Sequence, residues 1–158
     1  MQSLRIALVA LPALGLFLAA QTAGIPPASF MSAADITKGL ATAVATDAAA
    51  GAAVTIAPGI AVRRRSGTGE PQYALIHPFS TEIYYIIEGT ASLVTGGTLD
   101  PPAPPPADPD IVRSKTLKGG VTRTVSKGDV IVVPPGTPHW FSAIDGTITY
   151  LESRVRVR

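Results

Sequence analysis

Cysteine is absent from the 158 residues. This excludes disulfides, thiolate nucleophiles, Cys-type zinc sites and a lipid anchor through an N-terminal Cys. Charge is scarce: Asp, Glu, Lys and Arg make up 15% of the chain and balance to a net +2. That is too little to hold nucleic acid by charge alone. With 46% hydrophobic residues, the composition is not that of a disordered chain. Nor is there an apolar run long enough to span a bilayer. The run at 6–20, IALVALPALGLFLAA, has 15 residues with Pro12 inside it, against the roughly 18 to 20 that a membrane helix needs. Behind Arg5 it matches the apolar region of a secretory signal peptide, with cleavage after Ala20 and Ala23 as a second candidate. The expectation is an exported protein, periplasmic or secreted, with no stable membrane anchor once the signal is removed.

Glycine and proline are plentiful, fifteen of each, and divide the remainder into short elements. Residues 1–20 are assigned to the signal, 21–51 to a lead-in and helix, and 52–158 to a single β domain, a division that suits the length. The helix is expected over 32–51. Ser32 caps it with Asp35 three residues on, Ile36, Leu40 and Val44 form one apolar stripe, and Gly51 stops it. The stripe packs on the domain as a lid or reaches a second subunit as an arm. Strands are expected at 54–65, 72–77, 82–95, 121–125, 129–133 and 147–158, with turn signals between most of them, the pattern of a sandwich or barrel. Residues 101–110 hold six Pro in ten and read as an exposed, stiff surface loop. Arg154, Arg156 and Arg158 alternate with Val155 and Val157, and Arg63, Arg64 and Arg65 form a second basic group. Either group offers an anion site, but a solvated face or a blunted edge strand is the commoner use.

The chain has two histidines, each in a turn-rich segment flanked by strands. The first segment runs Gly69–x5–Leu75–Ile76–His77–x4–Glu82–x6–Gly89. The second runs Gly128–x5–Pro134–Pro135–Gly136–x2–His139. His77 and Glu82 stand five apart and would face opposite sides of one straight strand. Pro78 and the three residues after it break the strand, which lets both side chains point inward. Beyond the break, Glu82, Tyr84 and Ile86 share one face and Ile83, Tyr85 and Ile87 the other. His139 and Phe141 share a face, and the prolines before them fix where His139 enters. Two imidazoles and a carboxylate suit Fe(II), Mn(II), Zn(II) or similar ions and leave coordination positions open.

These spacings, with EIYYIIEGTASLVTGG and GDVIVVPPGTPHWF around them, resemble the two motifs of the cupin superfamily, G-x5-H-x-H-x(3,4)-E-x6-G and G-x5-P-x-G-x2-H-x3-N. The resemblance covers 69–142 directly and the strands from about 52 to 158 by extension. It implies an all-β fold, a cupin jelly-roll barrel, here preceded by the short N-terminal α-helix. It also implies one divalent transition metal (Fe, Mn, Zn or Ni), with His77, Glu82 and His139 as three of the family's four ligands. The chain departs from the motifs at Leu75, which replaces the first His, and at Ala143, which replaces the final Asn. Tyr73, Leu75, Tyr84 and Phe141 are candidates for the cavity wall. Two readings follow from the resemblance: a metal-dependent oxygenase or isomerase acting on a small organic molecule, and a non-catalytic ligand-binding or structural cupin without its metal. A homodimer is expected in both, and a nucleic-acid partner in neither.

Overall fold

The structure is a computed structural model, and it describes residues 26–43, 51–68, 72–101 and 108–157. The signal assignment, Val44 and Gly69 lie outside these residues. The helix, α1, runs Ala33–Thr42. Ser32 caps it as expected: its Oγ accepts the Asp35 N–H at 3.1 Å and donates to Asp35 Oδ2 at 2.6 Å, satisfying one of the donors that a helix start leaves open. Its last turn is complete well before Gly51. Leu40 is buried, and Gly39 allows the helix close to Val54, whose methyl groups a Cβ at position 39 would strike. The helix therefore rests on its own domain, the first of the two roles read from its stripe.

Ten strands follow in the described residues: β1 (Ala52–Ala57), β2 (Ile60–Ser66), β3 (Ala74–Ile76), β4 (Ser80–Thr95), β5 (Thr98–Leu99), β6 (Val112–Ser114), β7 (Leu117–Lys118), β8 (Val121–Ser126), β9 (Val130–Val133) and β10 (His139–Arg156). All pairing is antiparallel. This is the all-β architecture that the strand pattern predicts and the jelly roll that the motif resemblance implies. Most strand ends shift by one or two residues from expectation, and three differences are larger. The single strand expected at 54–65 is a hairpin, β1 against β2, because Pro58 and Gly59 form a tight turn with Gly59 at φ +74°. The final strand begins at His139 rather than at 147, and register shifts near Phe141, Asp145 and Thr149 absorb its bends. The short β6, in the chain just past the Pro-rich segment, pairs with β3 and was not expected.

β4 and β10 are the long central strands and pair with each other from end to end. On β4 the alternation is as expected: Ser80, Glu82, Tyr84 and Ile86 are buried while Ile83, Tyr85 and Ile87 are exposed. The inward residues divide the interior into two halves. One is apolar: Tyr84, Ile86, Ala91, Leu93, Val125, Val133, Phe141, Ile148 and Tyr150 form a continuous buried cluster. Each large side chain in it contributes roughly 1.5–3 kcal/mol by leaving water. The other half is polar and holds Glu82, His77 and His139, each exposed by 3% or less.

Gly89, the last position of the first motif, sits at φ +86° where β4 passes β10, and a Cβ there would collide with the Thr147 carbonyl oxygen. Backbone conformation and space both require glycine. Gly89→Ala is expected to cost about 2 kcal/mol or more, read as a lower midpoint in thermal or urea unfolding. An unchanged midpoint would contradict this packing.

Candidate metal centre

β3 ends at Ile76, Pro78 and Phe79 turn the chain, and β4 opens at Ser80. This turn brings His77 and Glu82 to the same side although they are five apart. Asp110 braces it. One carboxylate oxygen accepts the Phe79 N–H at 2.7 Å, and the other accepts the Ser80 hydroxyl at 2.5 Å. Burial acts to raise the Asp110 carboxyl, but these two donors override it and hold it below the ordinary aspartate value. Asp110 is 5% exposed, so the Pro-rich segment does not end as the surface loop expected at 101–110. It ends in a buried support for the site. Residues 102–107 of that loop lie outside the described residues.

His139 enters at the start of β10. Its Nε2 lies 3.0 Å from Glu82 Oε2, and His77 Nε2 lies 3.3 Å from Glu82 Oε1. One ligand atom from each of the three residues falls within 4.8 Å of the others. Metal bonds of about 2.0–2.2 Å place neighbouring donor atoms roughly 3 Å apart, so the spacing fits a single ion.

The hydrogen bonds on the far side of each ring decide what faces the centre. His77 Nδ1 is 2.5 Å from the Asp110 carbonyl oxygen, and His139 Nδ1 is 3.1 Å from the Thr137 carbonyl oxygen. A carbonyl only accepts, so each Nδ1 carries a proton, and the Nε2 that each ring turns inward is the atom free to take a metal ion or a second proton. His139 Nε2 is buried and makes no hydrogen bond of acceptable angle, despite its closeness to Glu82. Nε2 and a carboxylate oxygen 3.0 Å apart need a positive charge between them, a proton or a metal ion. The donor set therefore fits a divalent metal, and the backbone carbonyls supply the support that ligating histidines ordinarily have.

The structure also places two residues on Glu82 that the sequence did not assign there. Tyr84 Oη donates to Oε2 at 2.6 Å. Arg154 donates through Nε to Oε1 at 2.9 Å, and its Nη2 lies 3.2 Å from His77 Nε2. Burial alone would raise the Glu82 carboxyl, but His139, His77 and Arg154 together hold it well below the ordinary carboxylate range. Burial lowers His77, with Arg154 and His139 adding to the effect, against Glu82. Near neutral pH the result is an ionised carboxylate beside a neutral imidazole.

Beside this group opens a cavity of about 530 Å³, its mouth included. Tyr73, Leu75 and Tyr84 line it as read from the sequence, together with Ile111, Glu152 and four arginines, Arg63, Arg65, Arg113 and Arg154. Phe141 instead packs one layer below, its ring 5.4 Å from that of Tyr150. Members of both basic groups thus depart from the solvated-face reading, while Arg156 is exposed as expected and Arg158 lies outside the described residues. Arg63 and Arg65 point inward from β2, and Arg154 from β10, while Val155 and Val157 are 53% and 48% exposed. Arg63 is held by Glu152 at 2.7 Å, and Arg64 faces the other way to Glu88 at 3.0 Å.

A family model described as Cupin matches residues 60–151. No curated protein matches the chain. Among solved structures, a Klebsiella pneumoniae protein with a double-stranded β-helix domain aligns at TM-score 0.47 and 10% identity, covering 82% of this chain and 91% of that one. A Bacillus halodurans protein aligns at TM-score 0.43 and 14% identity, covering 63% of this chain and 62% of its own. The DMSP lyase DddQ of Ruegeria pomeroyi aligns at TM-score 0.39 and 21% identity, covering 62% of this chain and 37% of its own. The chain thus spans less than two thirds of the length of the last two proteins.

The charge states have a measurable consequence in metal-free protein. Glu82 and Asp110 are depressed, so their stabilisation is present above about pH 4 and is lost as pH falls through their folded values. His77 is also depressed, so the unfolded chain takes up its proton first, and this stabilisation is lost as pH falls below about 6.5. The melting temperature should rise steadily from about pH 4 to about pH 7. A flat or falling profile over that range would contradict the assignment.

Proposed function

This chain belongs to the cupin family, and from that premise we propose that its barrel binds one divalent transition metal (Fe, Mn, Zn or Ni) through His77, Glu82 and His139 and acts as a metal-dependent oxygenase or isomerase on a small organic molecule. The observation that carries this reading is the pair of Nδ1–H bonds to backbone carbonyls, which leaves both Nε2 atoms directed at one carboxylate. A bound metal would polarise a substrate or activate dioxygen. The chain's own residues do the rest. Glu82 supplies the negative charge, and Tyr84 holds one of its oxygens in place. Leu75 leaves the family's fourth ligand position without a donor, so that side of the site is open to substrate or water. We extend the reading to export through the segment at 1–20.

One observation favours the non-catalytic alternative. Arg154 already supplies a cation to Glu82 and a donor to His77, so the polar half is electrostatically balanced without a metal. A lone pair cannot serve the Arg154 N–H and a metal together, so Arg154 competes with the ion. Metal content separates the two readings. Protein purified without chelator or nickel affinity is expected to hold near-stoichiometric metal, lost in both His77→Ala and His139→Ala. Arg154→Met is expected to raise metal affinity about tenfold. No metal and no uptake in any of these proteins would establish the arginine-balanced, non-catalytic form.

We propose that a second copy docks on the outer face of β4 and β9. There Ile83, Tyr85, Ile87, Val130 and Val132 are 37–63% exposed side by side, a contiguous apolar patch of the kind that marks an interface. Sedimentation is expected to give a dimer that Tyr85→Lys converts to monomer. A wild-type monomer would rule this interface out.

A further inference from the structure

The arginines of the cavity are not equivalent. Arg63 and Arg154 are held by Glu152 and Glu82. Arg65 lines the same cavity and is only 6% exposed, yet no carboxylate of the described residues lies within ion-pair distance of it. Its guanidinium makes one long hydrogen bond, Nη1 to Gln72 Oε1 at 3.4 Å, and its Nε is buried with no acceptor. The rings of Phe141 and Tyr150 lie beneath it, 5.4 and 5.8 Å from the guanidinium carbon. Their π faces attract the cation but accept none of its hydrogen bonds. Tyr150 Oη, beside it, is a second buried polar atom without a partner. Burial pushes the Tyr150 hydroxyl up to about 12, so it remains a donor at physiological pH.

A buried guanidinium with no anion is costly. Here the missing component is an acceptor of negative charge, and the cavity wall adds apolar surface from Leu75 and Ile111. We propose that this cavity is a binding site for a small organic acid, its carboxylate held by Arg65 and its carbon body lying against Leu75 and Ile111. One uncompensated guanidinium balances one negative charge and fits a planar carboxylate as a fork. A phosphate dianion would bring a second charge into a cavity that already contains Glu82 and Glu152, and would leave the apolar wall without a partner. The site deepens the ligand-binding half of the reading above and does not require the metal.

The test is isothermal titration calorimetry on the full chain, first dialysed against chelator and then reloaded with metal. Acetate, propionate, benzoate and malonate serve as probes, acetamide and benzamide as neutral counterparts, and inorganic phosphate as the competing oxyanion. At least one carboxylate is expected to bind saturably in the metal-free protein, with its amide failing to bind. Arg65→Met should weaken the binding roughly tenfold or more, and Arg65→Lys should fall between. Because Arg65→Met removes an uncompensated buried charge, it should also raise the melting temperature of the ligand-free protein by several degrees, whereas a structural arginine would lower it. Four results would overturn the proposal: no binding by any carboxylate in either state, equal binding of acid and amide, an unchanged dissociation constant in Arg65→Met, or a lowered melting temperature in that variant. Phosphate binding more tightly than every carboxylate would overturn the organic-acid class. Metal content is measured separately, so failure here leaves the metal reading standing, and the reverse.

Discussion

The polar half of this barrel is organised by one constraint: Glu82 carries a negative charge at 1% exposure. A carboxylate removed from water to that degree needs both hydrogen-bond donors and a compensating cation. Tyr84 satisfies one oxygen and Arg154 the other. The two histidines approach the same oxygens and, held by carbonyls on their outer sides, present Nε2 to them. Each Nε2 takes either a proton or a metal ion there, and that choice gives the site its chemistry.

The apolar half makes this arrangement sustainable. Tyr84 belongs to both halves: its ring packs 5.1 Å from that of Tyr150 while its hydroxyl reaches Glu82. Tyr84 therefore lines the cavity and, stacked with Phe141 and Tyr150 beneath it, forms the top of the core. Arg65 lies over the rings of Phe141 and Tyr150. With Arg63 and Arg154 matched by Glu152 and Glu82, Arg65 biases the cavity wall toward an anionic guest whatever occupies the histidine centre.

The strand alternation of β4 and the placing of both histidines and Glu82 on the inner surface were legible in the sequence, because period-2 burial and the motif spacings pointed to the same answer. The arginines were not. The alternation of Arg and Val in the sequence at 154–158 looks like polar-out, apolar-in, but Arg154 turns inward to Glu82 while Val155 and Val157 face out beside an exposed Arg156. Nothing local sets that phase. It is set by the register of β10 on β4, where Arg154 lies opposite Glu82. Asp110 was hidden for a similar reason. Its partners Phe79 and Ser80 lie about 30 residues away, and the prolines before it read only as surface. The Pro58–Gly59 turn, by contrast, carried a clear local signal within a run that otherwise read as one strand.

The central claim is that both imidazoles keep their proton on Nδ1 and offer Nε2 to a metal. With two histidines in the chain, two-bond ¹H–¹⁵N correlation spectra of the metal-free protein at neutral pH read this directly. The account predicts that His77 and His139 both appear as the Nδ1–H tautomer, and that both Nε2 resonances shift together when Zn(II) is added. An Nε2–H tautomer or an imidazolium at either position, unmoved by Zn(II), would contradict it.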